Sequence, residues 1–395
     1  MKSFSSFFAL GAAVFAAAFG YGAVMPLLPE LLTPLLPGAS PVALSWHAGA
    51  FAGIYMLSVV VFSPAWGAAS DRYGTKRILL LGLAGSALAV FALAFAGGLW
   101  SAYLGRAVQG AFASALLPVA TSALAPIPDT AERARKVAGL GAASLLGFFA
   151  APALTAGLVS GVLAEPVAAV LYASAAVALA ALLIVTLRLA AESGRGLELR
   201  QEAARPLPAR FLGLNLLAYL GLGAFEVALP LAARGPLAVD PARVSLLFVQ
   251  CSLMMLVVQG ALMWAAPYRA HFPKVLIASI AAYTAGLLWL ASTDSFSAAF
   301  SAVGLIAAGS GLALPLIGFL ATLEIEARPG AALGRLTAAG GLGQAVGSLS
   351  GGALYGYAGM AMFTAAAFAV ALSAWLASPS CAPRWLGGNS RCKRA

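Results

Sequence analysis

The sequence predicts an all-helical membrane protein of twelve spans, arranged as two related bundles of six. Three observations carry that expectation. The 395 residues are 62% hydrophobic and only 9% charged, against the roughly 25% charge of an ordinary soluble domain. Apolar runs near the roughly 20 residues that cross about 30 Å of hydrocarbon as a helix recur along the whole chain. The second half repeats the first. The runs do not alternate, as the strands of a transmembrane β-barrel would.

The spans are expected near 5–28, 46–66, 77–97, 99–124, 137–162 and 166–188, then 211–233, 244–265, 274–292, 296–320, 334–356 and 359–378. The first resembles a secretory signal, with one Lys and an Ala-rich end. Its apolar stretch runs on to Leu28, however, and Gly20–Pro29 belongs to the repeat, so it is read as a span. Spans two and three flank the charged knot SDRYGTKR (70–77). Span four encloses Arg106. Spans five and eleven are rich in glycine, which lets helices approach and slide, and Pro118, Pro152 and Pro315 add bends. Span seven encloses Glu226. The expected organisation is a first bundle over 1–188, a polar linker over 189–210, a second bundle over 211–378 and a basic tail over 379–395.

Charge sets the orientation. The net charge of +10 would suggest nucleic acid in a soluble protein, but here the cations sit in short connectors. With the N-terminus in the cytosol, 20 of the 23 Lys and Arg fall on the cytosolic side, as short loops require. Both termini are then cytosolic. Arg234 and Arg243 lie outside and Arg106 within a span. Cys251, Cys381 and Cys392 give no disulfide framework. His47 and His271 near loops, with no Cys/His cluster, give no metal site and little acid–base machinery. No phosphate-binding Gly-Lys-Ser/Thr stretch occurs, so no nucleotide cofactor is expected.

The repeat shows in three ordered blocks. Gly20, Gly22, Ala23, Leu28 and Pro29 match Gly221, Gly223, Ala224, Leu229 and Pro230. Arg135, Ala138, Gly141, Gly147, Ala153 and Leu154 match Arg335, Ala338, Gly341, Gly347, Ala353 and Leu354. Trp66 and Lys76 match Trp264 and Lys274. Parallel repeats with a site between them near the bilayer midplane are a transporter architecture.

GAASDRYGTKRILL resembles the loop signature between helices two and three of the major facilitator superfamily, with Gly67, Asp71, Arg72, Gly74, Lys76 and Arg77 in register. YLGRAVQGAFASA resembles its helix-four signature, through Arg106, Gln109 and Gly110. GYGAVMPLLP (20–29) is similar to helix one of twelve-helix drug–proton antiporters. Span five departs from the antiporter signature: Ala151-Pro152 stands for Gly-Pro, and Ala156-Gly157 for a glycine pair. The resemblance implies the major facilitator fold and a cytosolic latch at Asp71 that holds the halves together; the plainer reading is a positive-inside anchor. The second-half equivalent, WAAPYRAHFPKV, lacks the Asp. Gly74 suits a tight turn with positive φ.

Within the spans, Glu226 is the leading carrier of a proton or contact for a cationic substrate, since burial eases protonation of a carboxyl. It stands opposite Met25 in the repeat. Arg106, beside Gln109, costs at least about 2.5–3.5 kcal/mol at membrane depth and is read as a proton-coupling group or a contact for substrate anions. Glu30 is placed at the outer mouth of span one. Tyr21, Tyr55, Asn215, Tyr219, Gln250, Gln259 and Gln344 are candidate cavity groups, with Asn215, Tyr219 and Glu226 on one face of span seven. Each of these polar groups has a structural reading as an interhelix contact. Glu324, Glu326, Arg328 and Arg335 are expected to form a gate network or to lie solvated.

The resulting expectation is a monomeric secondary transporter in a bacterial-type inner membrane, working by alternating access. It would couple to protons and export a small organic compound such as a drug or a siderophore-like metabolite. Proton-coupled uptake is the alternative, and a membrane receptor or enzyme a remote one.

Overall fold

The structure, a computed structural model, describes residues 2–161, 165–190, 207–264, 271–323 and 329–377. The expected linker core, the tail and the gate candidates Glu324, Glu326 and Arg328 lie outside the described residues. All regular structure among the described residues is helical. In chain order the helices are α1 (Lys2–Gly22), α2 (Leu28–Leu32), α3 (Pro41–Tyr73), α4 (Thr75–Leu93), α5 (Leu99–Ala113), α6 (Leu116–Ser122) and α7 (Thr130–Val159). After these come α8 (Pro166–Arg188), α9 (Ala209–Arg234), α10 (Pro241–Trp264), α11 (Phe272–Ala291), α12 (Phe296–Leu323), α13 (Pro329–Ala358) and α14 (Ala361–Ala377).

The twelve expected spans map onto these elements with two of them broken. Span one becomes α1, a 3-10 turn at Met25–Leu27, α2, and a second 3-10 turn at Thr33–Leu35. Pro26, Pro29 and Pro34 each open a new helical piece, because proline has no N–H for the preceding turn but suits a first turn. Span four divides into α5 and α6. Pro118 cannot donate to the carbonyl of Ser114, and Ala115 N bonds back only three residues, to Phe112 O (3.1 Å). Among the described residues nine helices are long and apolar enough to cross a membrane, and α14 is a shorter apolar helix.

α3 begins where the Ser40 side chain accepts a bond from Ala43 N (3.2 Å), with Pro41 at the first position. It ends at Gly74, whose φ of 89° falls where only glycine sits without strain. Asp71 and Arg72 therefore lie on the last turn of α3 and not in the loop where the sequence put them. The charged knot is a helix end.

The helices pack in two groups. In the first, α1 lies against α7 and α8, α4 against α5 and α8, and α3 against α5; in the second, α9 lies against α13 and α14, α11 against α12 and α14, and α10 against α12. The groups meet along α3–α13 and α7–α10. The α3–α13 seam is closest at the end carrying Glu30, opposite the knot. A Cβ at Gly352 would come 2.6 Å from Gly49 Cα, and one at Gly356 would come 3.2 Å from Val42 Cα. Towards the knot the helices part: Val61, Phe62, Pro64 and Ala65 of α3, and Gly334, Arg335, Thr337 and Ala338 of α13, are exposed. The structure is closed at the Glu30 end.

Closure at that end depends on backbone proximity that a larger side chain forbids. In a V42C/G356C protein a disulfide should form across the α3–α13 seam. Adding Gly352→Val should abolish that crosslink while the protein still purifies as a folded monodisperse species; an undiminished crosslink would remove the steric argument.

Candidate functional site

Three helices bring the central polar groups together. Tyr21 comes from the end of α1, Glu226 from the middle of α9 and Gln344 from the middle of α13. The Tyr21 hydroxyl donates to Glu226 Oε2 (2.7 Å), and Gln344 Nε2 donates to the same oxygen (2.9 Å) and approaches the Tyr21 hydroxyl (3.3 Å). Tyr21 belongs to the first helix group; Glu226 and Gln344 belong to the second. The carboxyl is therefore a bridge between groups, held by two donors in a region with little water to compete. Hydrogen bonds to a charged group contribute about 1.5–3 kcal/mol each, against about 0.5–1.5 for neutral ones.

Beneath the Tyr21 ring lies Arg106, which is 0% exposed. Its Nη1 donates to Gln109 Oε1 (2.8 Å), and Gln109 Nε2 donates to Gly20 O (3.2 Å), which ties α5 to α1. Three rings enclose the guanidinium: Tyr55 at 4.4 Å, Tyr21 at 5.4 Å and Phe51 at 5.5 Å from Cζ to ring centroid. Such contacts contribute about 0.5–2 kcal/mol each, which offsets much of the insertion cost. No carboxylate lies within ion-pairing distance of Arg106 among the described residues. Tyr21 also lies tilted against Tyr55 (5.0 Å) and meets Phe148 edge-on (5.8 Å), so one tyrosine contacts both the buried arginine and the half-buried glutamate.

A second bridge closes the Glu30 end. Arg234 at the end of α9 donates from Nη1 to Thr33 Oγ1 (2.7 Å), with its Nε 3.7 Å from Glu30 Oε1. The remaining Glu30 oxygen is buried without a hydrogen-bond partner among the described residues. α10 also approaches α7 at Ser252, whose single hydroxyl proton is shared between Phe248 O of its own helix (2.9 Å) and Phe148 O of α7 (3.1 Å).

The other candidates are dispersed. Asn215 Nδ2 donates to Leu336 O (2.7 Å), and both Asn215 and Tyr219 pack on Gly340 of α13, so this face of α9 meets a helix. The Gln250 amide lies against Gly304 of α12, with Oε1 unpartnered. Gln259 makes no hydrogen bond among the described residues. In the knot, Gly74 makes the turn, Lys76 Nζ donates to Thr186 O (2.8 Å), and Arg72 lies over the Tyr73 ring (5.2 Å). Gly67 has open space around it. Asp71 and Arg77 are exposed, and Asp71 makes no hydrogen bond or ion pair among the described residues. The latch contact implied for Asp71 is not made in this closed-at-Glu30 arrangement. A cavity of about 190 Å³ lies elsewhere, at the knot end of the first group, lined by Phe7, Leu10, Leu124, Ile127 and Lys136. It contains none of the bridging residues. No three His, Cys, Asp or Glu converge as a metal site among the described residues.

The model of the Major Facilitator Superfamily matches residues 10–272. The chain belongs to that superfamily. It is a multi-pass membrane protein and not an enzyme. The human organic anion transporter MFSD10 superposes with a TM-score of 0.72 at 18% identity, over 95% of this chain and 99% of that one. The E. coli xylose transporter XylE, in a partially occluded inward-open conformation, gives 0.74 at 13% identity, over 98% and 99%. At these identities the likeness is of the major facilitator fold alone. In sequence, the chain is 39% identical to the class G tetracycline resistance protein of Vibrio anguillarum over 148 residues, 38% of this chain and 36% of that protein. It is 37% identical to the class B protein of Escherichia coli over 135 residues, 34% and 33% of the two chains. It also matches a triacylglyceride transporter of Mycolicibacterium smegmatis, at 37% over 98 residues. The matched stretch spans about a third of the tetracycline resistance proteins.

The Arg234 bridge is half-exposed, and exposed pairs contribute little. Arg234→Ala should raise the fraction open at the Glu30 end by about fivefold or less, a shift of roughly 1 kcal/mol, measured by maleimide labelling of a cysteine at Leu36. Tyr21→Phe should raise it more, because its bond runs from a buried hydroxyl to a charged acceptor. A larger effect from Arg234→Ala than from Tyr21→Phe would reverse this ranking of the bridges.

Proposed function

We propose that the chain is a proton-coupled exporter of small organic compounds, working by alternating access in the bacterial inner membrane with both termini in the cytosol. On this reading the knot end is cytosolic and the Glu30 end external, so the arrangement described above is the inward-facing one. The first bundle runs over 1–188 and the second over 211–378, joined by the 189–210 linker, with 379–395 as the basic tail. The protein acts as a monomer with no cofactor, and its partners are the substrate, protons and the bilayer.

The observation that carries the reading is the Tyr21–Glu226–Gln344 bridge. An ionised Glu226 accepts two charge-strengthened bonds, one from the opposite bundle, and locks the empty carrier. Exchange of proton for substrate needs such a lock, because the unloaded form must not cycle. A proton arriving at Glu226 weakens the cross-bundle bond by about 1–2 kcal/mol, and a substrate that displaces the Tyr21 hydroxyl breaks it. Either event frees the bundles to rock; both absent, they stay closed. Arg106 fixes Tyr21 from below and supplies positive charge to the same chamber. Asp71, unpaired here, closes the cytosolic side when the external side opens. The tetracycline resistance relatives favour export over uptake, and a tetracycline is the first compound to test.

The test is flux in proteoliposomes under an imposed pH gradient, across a panel of a tetracycline, a cationic dye and an aromatic carboxylate. Wild type should move at least one compound against its own gradient, in exchange for protons. Glu226→Gln, which mimics the neutral carboxyl, should retain exchange down a substrate gradient and lose all dependence on the proton gradient. Flux by wild type that ignores the pH gradient would end the proton reading, and accumulation of the compound in intact cells would reverse the direction.

A further inference from the structure

The Arg106 guanidinium is held by one nitrogen only. Nη1 is committed to Gln109, while Nε and Nη2 are both buried and have no hydrogen-bond partner among the described residues. These two atoms are not a random pair. Their N–H bonds point the same way and form the side-on edge of the guanidinium, the edge that takes two oxygens of a carboxylate at once. Gln109, anchored in turn on Gly20 O (3.2 Å), keeps the plane from rotating. A buried cation with its two-donor edge unpaired is costly, and no carboxylate in the described structure lies within ion-pairing distance of it: Glu226, the acid of this cluster, is bound by Tyr21 and Gln344.

We propose that the Nε/Nη2 edge of Arg106 is the docking point for a carboxylate on the substrate, whose aromatic or apolar body replaces the Tyr21 ring. The surroundings fit such a body. The Tyr55 and Phe51 rings lie within 5.5 Å of Arg106 Cζ, Phe148 meets Tyr21 edge-on, and no acidic group other than Glu226 belongs to the cluster. Because the edge is buried, a neighbouring side chain has to move before a ligand reaches it. Tyr21 is the neighbour shared with the lock: its ring lies 5.4 Å from Arg106 Cζ and its hydroxyl donates to Glu226, so on this proposal its displacement admits the ligand and severs the cross-bundle bond in one step. Substrate charge would thus be read at Arg106 and reported at Glu226. The proposal deepens the transport reading above and rests on it for the meaning of the site, but its test requires no gradient and no flux.

The experiment uses full-length protein purified in detergent, with 2-naphthoate as probe and 2-naphthamide as its neutral isostere, followed by calorimetric titration and thermal unfolding. Wild type should bind naphthoate and not naphthamide. Arg106→Lys keeps a charge but offers a point contact in place of the two-donor edge; it should bind naphthoate roughly tenfold more weakly or worse. Arg106→Gln should lose the acid-over-amide preference. Tyr21→Phe keeps the ring but unties it from Glu226, and should bind naphthoate more tightly than wild type, an effect a purely structural arginine would not produce. The proposal is overturned if acid and amide bind equally, if wild type binds neither, or if Arg106→Lys matches wild type. Arg106→Lys serves where Arg106→Gln does not fold. Proton-coupled flux that survives any of these results would leave the transport reading standing while removing the anion site.

Discussion

A carboxylate placed between two helix bundles in hydrocarbon must be satisfied by protein, because water cannot do it cheaply. That constraint orders the centre of this molecule. Glu226 takes its donors from α1 and α13, so the position of Tyr21 fixes how the two bundles face each other at mid-depth. The close glycine contact of α3 with α13 holds the same relation at the side. The bundles stay in contact because polar groups and backbones meet. Apolar surface alone gives little drive for association in lipid.

Arg106, the buried charge, is kept apart from Glu226. Arg106 could have neutralised Glu226 directly, and such a pair would be rigid. Instead a tyrosine ring stands between them, with its face to the cation and its hydroxyl to the anion. Neither charge is neutralised by a direct ion pair, and the proposed roles, Glu226 for a proton and Arg106 for a ligand, depend on that. The proposed transport cycle uses that incompleteness. A fully paired centre would be more stable and would have no reason to move.

Much of the architecture was legible in the sequence. Twelve apolar runs, a repeat near 200 residues and a charged knot led to the observed fold. Glu226 and Arg106 stood out as lone charges in apolar stretches. Their partners were harder to see. Tyr21 and Gln344 were two among several polar groups of equal standing, and only packing brought them to Glu226 while turning Asn215 and Tyr219 onto α13. The Arg234–Thr33 contact had a signal that went unused: the two residues occupy matching positions in the repeat, at the ends of spans one and seven, where a pseudo-twofold axis brings equivalents together. The break in span one was written in Pro26, Pro29 and Pro34, which an apolar count ignores. The charge of Asp71 and Arg72 suggests a loop, yet the helix runs on to Gly74, where φ turns positive.

The central claim is that ionised Glu226 holds the bundles closed at the Glu30 end. Spin labels at Ala39 and Pro236, on either side of that end, report the opening as a distance distribution. The measurement is a titration from mildly alkaline to mildly acidic conditions in detergent without ligand, in a Glu30→Gln background so that Glu226 is the bridging carboxyl left to titrate. The account predicts a short distance at alkaline pH and a growing long-distance population as the pH falls. A distribution that does not change with pH, while Tyr21→Phe opens the same pair, would show that the bridge holds without its charge and would contradict the account.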